Sequence, residues 1–341
     1  MNGASDSELT LLDQLPQGLL DLPAERLHEM LSGPTLIELP GNDPLPLFIS
    51  VLLHGNETTG WDAMRAVLKK YPSLPRTLYL FIGNVSAAAR RQRHLPHQAD
   101  YNRIWKGDGD GPEHAMARQL LRWLKQRPLF AAIDIHNNTG TNPHYACVNR
   151  LSDDYLHLAT LFSRTVVYFL KPDGVLSLAM SHLCPAVTLE CGKPDDAHGV
   201  AHVIEYVEAA LHLSAFPEHE VAPQDVDLFH TVAIVKVPEQ LSIGVDDPRA
   251  DIDLSSAIDH YNFSELPVGT CFGRYHHGGD TALEARDELG NEVSGRYFAL
   301  RDGQIYTRAP VMPSMLTLDT GIIRQDCLCY LMERLPLPTG E

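Results

Sequence analysis

The chain is organised around one short stretch, Leu52-Leu53-His54-Gly55-Asn56-Glu57-Thr58. An apolar run from Leu47 to Leu53 predicts a buried strand before it, and the segment from Trp61 to Leu68 predicts a helix after it. In open α/β sheets this strand-to-helix crevice is where ligands bind. His54 and Glu57 can converge there on one cation, since zinc accepts both imidazole nitrogen and carboxylate oxygen. The pair alone also fits a purely structural alternative, in which the Glu57 carboxylate stabilises the positive N-terminal end of the helix dipole.

Composition excludes several classes of protein. The 341 residues are 44% hydrophobic and 21% charged, an ordinary globular mixture that is long enough for two domains. The net charge of −17 argues against a nucleic-acid partner, which would need a basic surface. The apolar runs are strand-sized and the first ten residues are polar and acidic, so we expect neither membrane association nor a signal peptide. The cysteines lack C-x-x-C spacing, and we interpret all of them as thiols of a reducing cytoplasm: Cys147, Cys184, Cys191, Cys271, Cys327 and Cys329.

The order of predicted elements indicates the fold class. Strands and helices alternate from residue 35 to residue 215, which is typical of an α/β fold. A helical pattern from Leu20 to Leu31 precedes them. After Phe216-Pro217 short β-like runs follow, among them Met315 to Leu318. We therefore predict a first domain at residues 1–220, with a mostly parallel mixed sheet flanked by helices, and a second, smaller, mainly β domain at residues 221–341.

Three predicted strands end in an ionisable side chain. His54 and Glu57 follow one strand, His136 ends a second and Glu190 ends a third. Two histidines and one carboxylate leave the fourth position of a zinc ion open for water, which is the catalytic arrangement. A further carboxylate is then needed to move a proton, and Glu190 is available for that. Each residue alone fits a plain strand end or a satisfied core histidine, but that explanation requires unrelated coincidences at three strand ends.

An arginine-rich segment supplies groups that suit a carboxylate substrate. Arg103 has the planar fork that binds a carboxylate through two hydrogen bonds, and Asn102 adds an amide donor. Arg93 can face a carbonyl oxygen as it becomes negative. The neighbouring Arg90 and Arg91 are interpreted as part of a solvated loop. Asp134 either orients its strand end or supports a metal ligand through a hydrogen bond.

The sequence resembles the succinylglutamate desuccinylase and aspartoacylase family, which has a zinc carboxypeptidase-like fold. The resemblance covers residues 45–215, and the trailing β domain is also expected from the family. Four motifs carry it, in the family's order: His54-Gly55-Asn56-Glu57-Thr58, Asp100-Tyr101-Asn102-Arg103, Asp134-Ile135-His136 and Thr188-Leu189-Glu190-Cys191-Gly192-Lys193.

The resemblance implies a role for each matching residue. It makes His54, Glu57 and His136 the ligands of one zinc ion per chain and Glu190 the general base and acid. Arg93, nine residues after Asn84, would polarise the substrate carbonyl. Asn102 and Arg103 would hold the substrate's carboxylate, and Tyr306 of the β domain would reach the pocket.

The sequence departs from the family pattern at three places. The spacing from Arg93 to Asn102 is longer, Asn137-Asn138 follows His136 where a threonine is usual, and Cys191 replaces an apolar residue. All three lie near the expected acyl group rather than among the metal ligands. They put the identity of the substrate in doubt, not the zinc site.

The leading hypothesis is a cytoplasmic zinc-dependent amidohydrolase that removes the acyl group from an N-acyl amino acid with a free carboxylate. One alternative is a zinc carboxypeptidase acting on small peptides, because the same residues would serve it. Another is a catalytically silent metal-binding relative, which would have no need of Glu190. The acyl group, the amino-acid side chain and assembly into a homo-oligomer are left open by the sequence.

Overall fold

The computed structural model describes residues 8–277 and 282–337. It divides into two compact units, one of residues 8–137 and 144–227 and the other of residues 138–143 and the described part of 228–337. The predicted boundary between residues 220 and 221 stays a prediction. Within the described ranges, no helix is both long enough and apolar enough to cross a membrane.

The first unit is built from alternating strands and helices. Its strands are β1 (Thr10–Leu12), β2 (Thr35–Leu39), β3 (Gly41–Val51), β4 (Leu74–Ile82), β5 (Ala131–His136), β6 (Tyr145–Val148), β7 (Thr165–Tyr168) and β8 (Ala186–Glu190). Its α-helices are α1 (Thr59–Lys70), α2 (Val85–Ala88), α3 (Pro112–Leu124), α4 (Asp153–Thr160), α5 (Leu176–Met180) and α6 (Ala197–His212).

The strands of the first unit form one sheet in the order β1-β2-β4-β3-β5-β8-β6-β7. The central pairs β4/β3, β3/β5 and β5/β8 are parallel, whereas β2/β4 and β6/β8 are antiparallel. Leu47, Phe48 and Ile49 of β3 are fully buried, as expected for a central strand covered by helices on both faces. Each such side chain contributes about 1.5–3 kcal/mol of transfer free energy to folding. The predicted mostly parallel mixed sheet flanked by helices is confirmed.

The N-terminal prediction was wrong in detail. In place of one helix from Leu20 to Leu31, the chain forms two short 3-10 helices, Leu19–Asp21 and Ala24–Glu29. Pro23 separates them in an extended conformation. Proline has no amide hydrogen to donate and its ring blocks a continuous α-helix, so the apolar spacing is divided between two turns.

The second unit is mainly β, with short helices. Its strands are β9 (Asp227–Lys236), β10 (Ile243–Val245), β11 (Ile252–Leu254), β12 (Cys271–Tyr275), β13 (Glu284–Arg286), β14 (Phe298–Arg301), β15 (Gln304–Thr307), β16 (Met312–Ser314) and β17 (Cys329–Arg334). The helices are α7 (Ser294–Tyr297) and α8 (Thr320–Gln325), with a 3-10 helix at Ser256–Tyr261.

Two groups of strands surround the core of the second unit. Five strands pair in the order β10-β11-β12-β15-β14, and β17 pairs antiparallel with both β9 and β16. Phe272 and Leu328 are fully buried in its core. The strand predicted at Met315 to Leu318 was wrong, because the strand ends at Ser314 and Met315 takes a left-handed conformation with φ 66°.

Candidate active site

The carboxyl ends of three adjacent strands bring the predicted site residues together. β3, β5 and β8 are neighbours and run parallel, so their ends meet at one edge of the sheet. His136 and Glu190 are the last residues of β5 and β8 and are paired in register. β3 ends at Val51, and the chain then turns through His54 and Glu57 before α1 begins.

The turn after β3 is shaped by close backbone packing. A Cβ atom added to Gly55 would lie 2.2 Å from the backbone of both Ala87 and Ala88. The amide of Gly55 donates to the Arg93 carbonyl at 3.1 Å. Glycine is therefore required here for space, and the turn carrying His54 is tied to the arginine-rich segment.

The side chain of Glu57 bridges the two histidines. Its Oε1 lies 2.7 Å from Nδ1 of His54, and its Oε2 lies 2.8 Å from Nδ1 of His136. The three residues each offer one ligand atom, and these atoms lie within 4.8 Å of one another. All three side chains are buried. Two imidazoles and one carboxylate form a donor set that fits zinc and leaves one position for water or substrate.

Each histidine also has a carboxylate at its far nitrogen. Nε2 of His54 lies 3.0 Å from Oδ1 of Asp100, and Nε2 of His136 lies 2.9 Å from Oδ2 of Asp134. Ser50 in turn donates to Asp134. A carboxylate on the outer nitrogen orients a metal-binding imidazole and makes it a better ligand. The predicted supporting position of Asp134 agrees with this geometry.

The buried charges in this cluster stabilise one another. Burial opposes the ionisation of Glu57, but the adjacent His54 and His136 outweigh it and hold the pKa of the carboxyl well below its usual range. Burial likewise opposes a charge on His136, yet Asp134 and Glu57 raise its pKa well above the ordinary value. The carboxylates therefore make the pocket favourable for a positive charge, which a bound cation would supply in place of the imidazole proton.

Glu190 lies at the end of β8 beside this cluster. It is 9% exposed and is paired with His136 on one side and Tyr145 on the other. Burial, and then the charge of Glu190, raise the pKa of the Cys147 and Cys191 thiols well above the usual value. The two cysteines are thus neutral, apolar neighbours of the carboxylate.

The arginine-rich segment is anchored by Asp100. Its Oδ2 lies 3.0 Å from Nε of Arg93, and its Oδ1 accepts a hydrogen bond from the backbone amide of Asn102 at 2.8 Å. Burial opposes the ionisation of Asp100, but Arg93 and then His54 hold its pKa well below the usual range. Nδ2 of Asn102 lies 3.5 Å from Nε2 of His136, and Nη1 of Arg103 donates to the Asn102 carbonyl at 2.8 Å. The segment predicted to bind a carboxylate therefore lies against the histidine cluster.

Comparison with known proteins shows which family these residues resemble. Residues 46–203 match the family model described as the succinylglutamate desuccinylase/aspartoacylase catalytic domain. This part of the chain is therefore similar to the catalytic domain of the succinylglutamate desuccinylase/aspartoacylase family. The match includes both histidines, Glu57, the arginine-rich segment and Glu190. No curated protein matches the chain in sequence.

Solved structures of desuccinylases and an aminoacylase share the fold. Succinylglutamate desuccinylase from Chromobacterium violaceum has a TM-score of 0.60 at 16% identity, with 89% of each chain covered. A succinylglutamate desuccinylase/aspartoacylase from Rhodobacter sphaeroides has a TM-score of 0.59 at 13% identity, covering 87% of this chain and 88% of that one. Murine aminoacylase 3 has a TM-score of 0.53 at 17% identity, covering 86% and 96%.

Two residues of the site had no role assigned from the sequence. Asp100 was part of a quoted motif, but its contact with His54 spans 46 positions. Asn137 departs from the family pattern, and its amide nitrogen donates to Thr59 Oγ1 and to the Gly192 carbonyl, both at 2.9 Å. Its backbone amide donates to Oε2 of Glu57 at 3.1 Å. Asn137 thus links the cluster of His54, Glu57 and His136 to the turn that follows Glu190.

Tyr306 lies outside the matched range. It belongs to β15 of the second unit, where its hydroxyl donates to the side chain of Gln304. Its predicted contact with the substrate stays a prediction.

Proposed function

We propose that the chain is a zinc-dependent hydrolase that removes the acyl group from an N-acyl amino acid. The observation that carries the proposal is the bridge from Glu57 to Nδ1 of both His54 and His136, at 2.7 and 2.8 Å. These residues would hold one zinc ion per chain. When bound, zinc supplies a Lewis acid for the amide carbonyl and for the attacking water.

Glu190 is proposed as the group that moves the proton. Its register beside His136 supports this, because a base must lie next to the position where water attacks. The carboxylate takes a proton from the water and passes it to the leaving nitrogen. With His54, Glu57 and His136 as ligands, Glu190 is not needed for binding the metal.

Arg93 is proposed to stabilise the carbonyl oxygen as negative charge develops on it. Its Nε is held by Asp100 at 3.0 Å, which fixes the orientation of a group that can stabilise an oxyanion. Because this hydrogen bond is already formed in the protein, the guanidinium is oriented before substrate binds.

Asn102 and Arg103 are proposed to bind the free carboxylate of the amino-acid product. The Asn102 side-chain oxygen accepts from the Leu176 amide at 3.2 Å, so its NH₂ group is directed elsewhere, toward His136. Arg103 supplies a guanidinium with geometry that matches a carboxylate. Tyr306 completes the proposed substrate-binding set.

A glutamine at position 190 tests the proposal. Glu190→Gln keeps the size and hydrogen bonding of the side chain but removes the base. We expect full zinc content, KM within a small factor and a loss of kcat by about 10²–10⁴-fold. Glu38→Gln is the matched control, since Glu38 is a partly buried glutamate of β2 outside the site. Loss of zinc would make Glu190 a ligand, and full activity would remove it as the base.

A substrate screen separates the rival activities. The zinc-loaded protein is assayed on N-succinyl amino acids, N-acetyl amino acids and dipeptides. Hydrolysis of the acylated amino acids with little cleavage of dipeptides supports the deacylase. The reverse result favours a carboxypeptidase, and no turnover of any substrate by a fully zinc-loaded protein favours a silent relative.

A further inference from the structure

A second group of histidines lies in the first unit, outside the candidate active site. His198 and His202 are four residues apart in α6, so they lie on the same face of the helix. His144 immediately precedes β6 and faces them. Histidines four apart on a helix, joined by a third from another element, are a pattern that transition metals use.

Two of the three imidazoles already face each other through ring nitrogens. Nδ1 of His144 lies 2.8 Å from Nδ1 of His202. Their ring centroids are 5.1 Å apart and the planes differ by 18°, so the rings meet edge to edge and are nearly coplanar. Nitrogens bound to one tetrahedral zinc ion are separated by about 3.3 Å, given Zn–N distances near 2.0–2.1 Å. A small rotation of either ring would admit the ion between them.

An aromatic neighbour restrains the His202 ring. The ring of Phe162 stacks on it with a centroid distance of 4.3 Å and an angle of 12°. This stacking contact restrains the ring while its Nδ1 is directed at His144.

His144 is held against glycine backbone. A Cβ atom at Gly192 would lie 3.0 Å from Nε2 of His144, and one at Gly199 would lie 3.8 Å from it. A larger residue at either glycine would therefore reduce the space that the His144 imidazole occupies. Burial lowers the pKa of both His144 and His202, which favours the neutral form that binds metal.

From this geometry we propose that His144, His198 and His202 form a second transition-metal site. His198 is exposed, and its ring centroid lies 5.5 Å from that of His144. A rotation of its side chain would bring it to the ion as the third ligand, with water completing the coordination. Three imidazoles suit zinc, nickel or copper rather than magnesium or calcium. The ion would link the start of α6 to the residue that immediately precedes β6.

Zinc stoichiometry tests the site. The protein is stripped with a chelator, titrated with Zn²⁺ by calorimetry and analysed for metal after desalting. We expect two equivalents in wild type and one in each of His202→Ala and His136→Ala. The double variant should bind none. His212→Ala is the matched control, because His212 is an exposed histidine of the same helix, and it should retain two.

A milder variant guards against misfolding. His198 is exposed, so His198→Ala should fold normally. We expect its affinity for the second zinc ion to fall by more than about 10-fold, which is the lower limit for losing a residue that only supports a metal ligand. If the wild type binds one equivalent and His136→Ala binds none, the second site is refuted. The zinc centre of the proposed hydrolase would stand in that case. Two equivalents retained in both His198→Ala and His202→Ala would also overturn it.

Discussion

Nε2 of His54 lies 3.0 Å from Oδ1 of Asp100, and the same carboxylate contacts Arg93 through its other oxygen. One partly buried side chain therefore orients a proposed metal ligand and the arginine proposed to stabilise the carbonyl oxygen. A change at Asp100 should affect both functions, whereas changes at Asp134 or Arg93 should each affect one.

Asp100→Asn tests this shared role. The amide keeps the size of the side chain but removes the charge that both partners require. We expect zinc affinity to fall about 10–100-fold, as for other partners of metal-bound histidines. In addition, kcat should fall at saturating zinc. Competition with a chelator measures the first effect and steady-state kinetics the second. Asp62→Asn, which alters an ion pair with Arg65 in α1, is the control. Unchanged zinc affinity would refute the role.

Arg103→Lys should be more damaging than its conserved charge suggests. Lysine cannot form the two parallel hydrogen bonds that a guanidinium makes to a carboxylate. We expect a fall in kcat/KM that corresponds to a loss of about 1–3 kcal/mol in transition-state stabilisation, the contribution of a charge-assisted hydrogen bond. Steady-state kinetics on the best substrate of the screen measure it, with Arg90→Lys in the solvated loop as the control. Equal kinetics for Arg103→Lys and wild type would exclude the carboxylate role.

Gly55→Ala should destabilise the fold at the active-site turn. The added methyl would meet the backbone of Ala87 and Ala88 at 2.2 Å, and backbone cannot move aside cheaply. We expect a loss of about 1–3 kcal/mol in the free energy of unfolding, typical of overpacking. Urea denaturation measures it. Gly295→Ala is the control, because an added Cβ there meets nothing within 4 Å. A neutral Gly55→Ala would show that the turn can relax.

The thiol of Cys271 should react much faster than those of the buried cysteines. All six lie in the described part of the chain, where none forms a disulfide and Cys271 is the one that is not buried. Burial raises the pKa of Cys184 to about 12 and those of Cys147 and Cys191 well above the usual value. Since the thiolate is the reactive form, iodoacetamide at pH 8 should label Cys271 first. Mass spectrometry measures the labelling, with the urea-unfolded protein as control. Rapid labelling of Cys191 in the native state would contradict it.

The same thiols give a pH dependence of stability. Above about pH 8.5 the unfolded chain loses these protons, whereas the native thiols keep them. The native state then binds more protons than the unfolded state, so the free energy of unfolding should fall as pH rises. Cys184→Ala should reduce this slope in denaturation curves between pH 8 and pH 10. An unaltered slope would mean that other groups cause it.

Sequence patterns by themselves determined the α/β class and the strand ends. The strand predicted from Leu47 to Leu53 overlaps the end of β3, and the helix predicted from Trp61 to Leu68 lies within α1. These elements were predictable because apolar periodicity and proline act within a few residues of the chain. The positions of His54, Glu57, His136 and Glu190 at strand ends followed from the same local signals.

Only the tertiary structure decided which elements are neighbours. The antiparallel placement of β2 and β6 beside parallel strands, the contact of Asp100 with His54 and the meeting of His144 with His202 all join distant parts of the chain. Such contacts depend on how strands are ordered and how loops pack across their ends. Local propensity and periodicity carry no information about that order, because the free energy that selects it comes from burial shared among distant side chains.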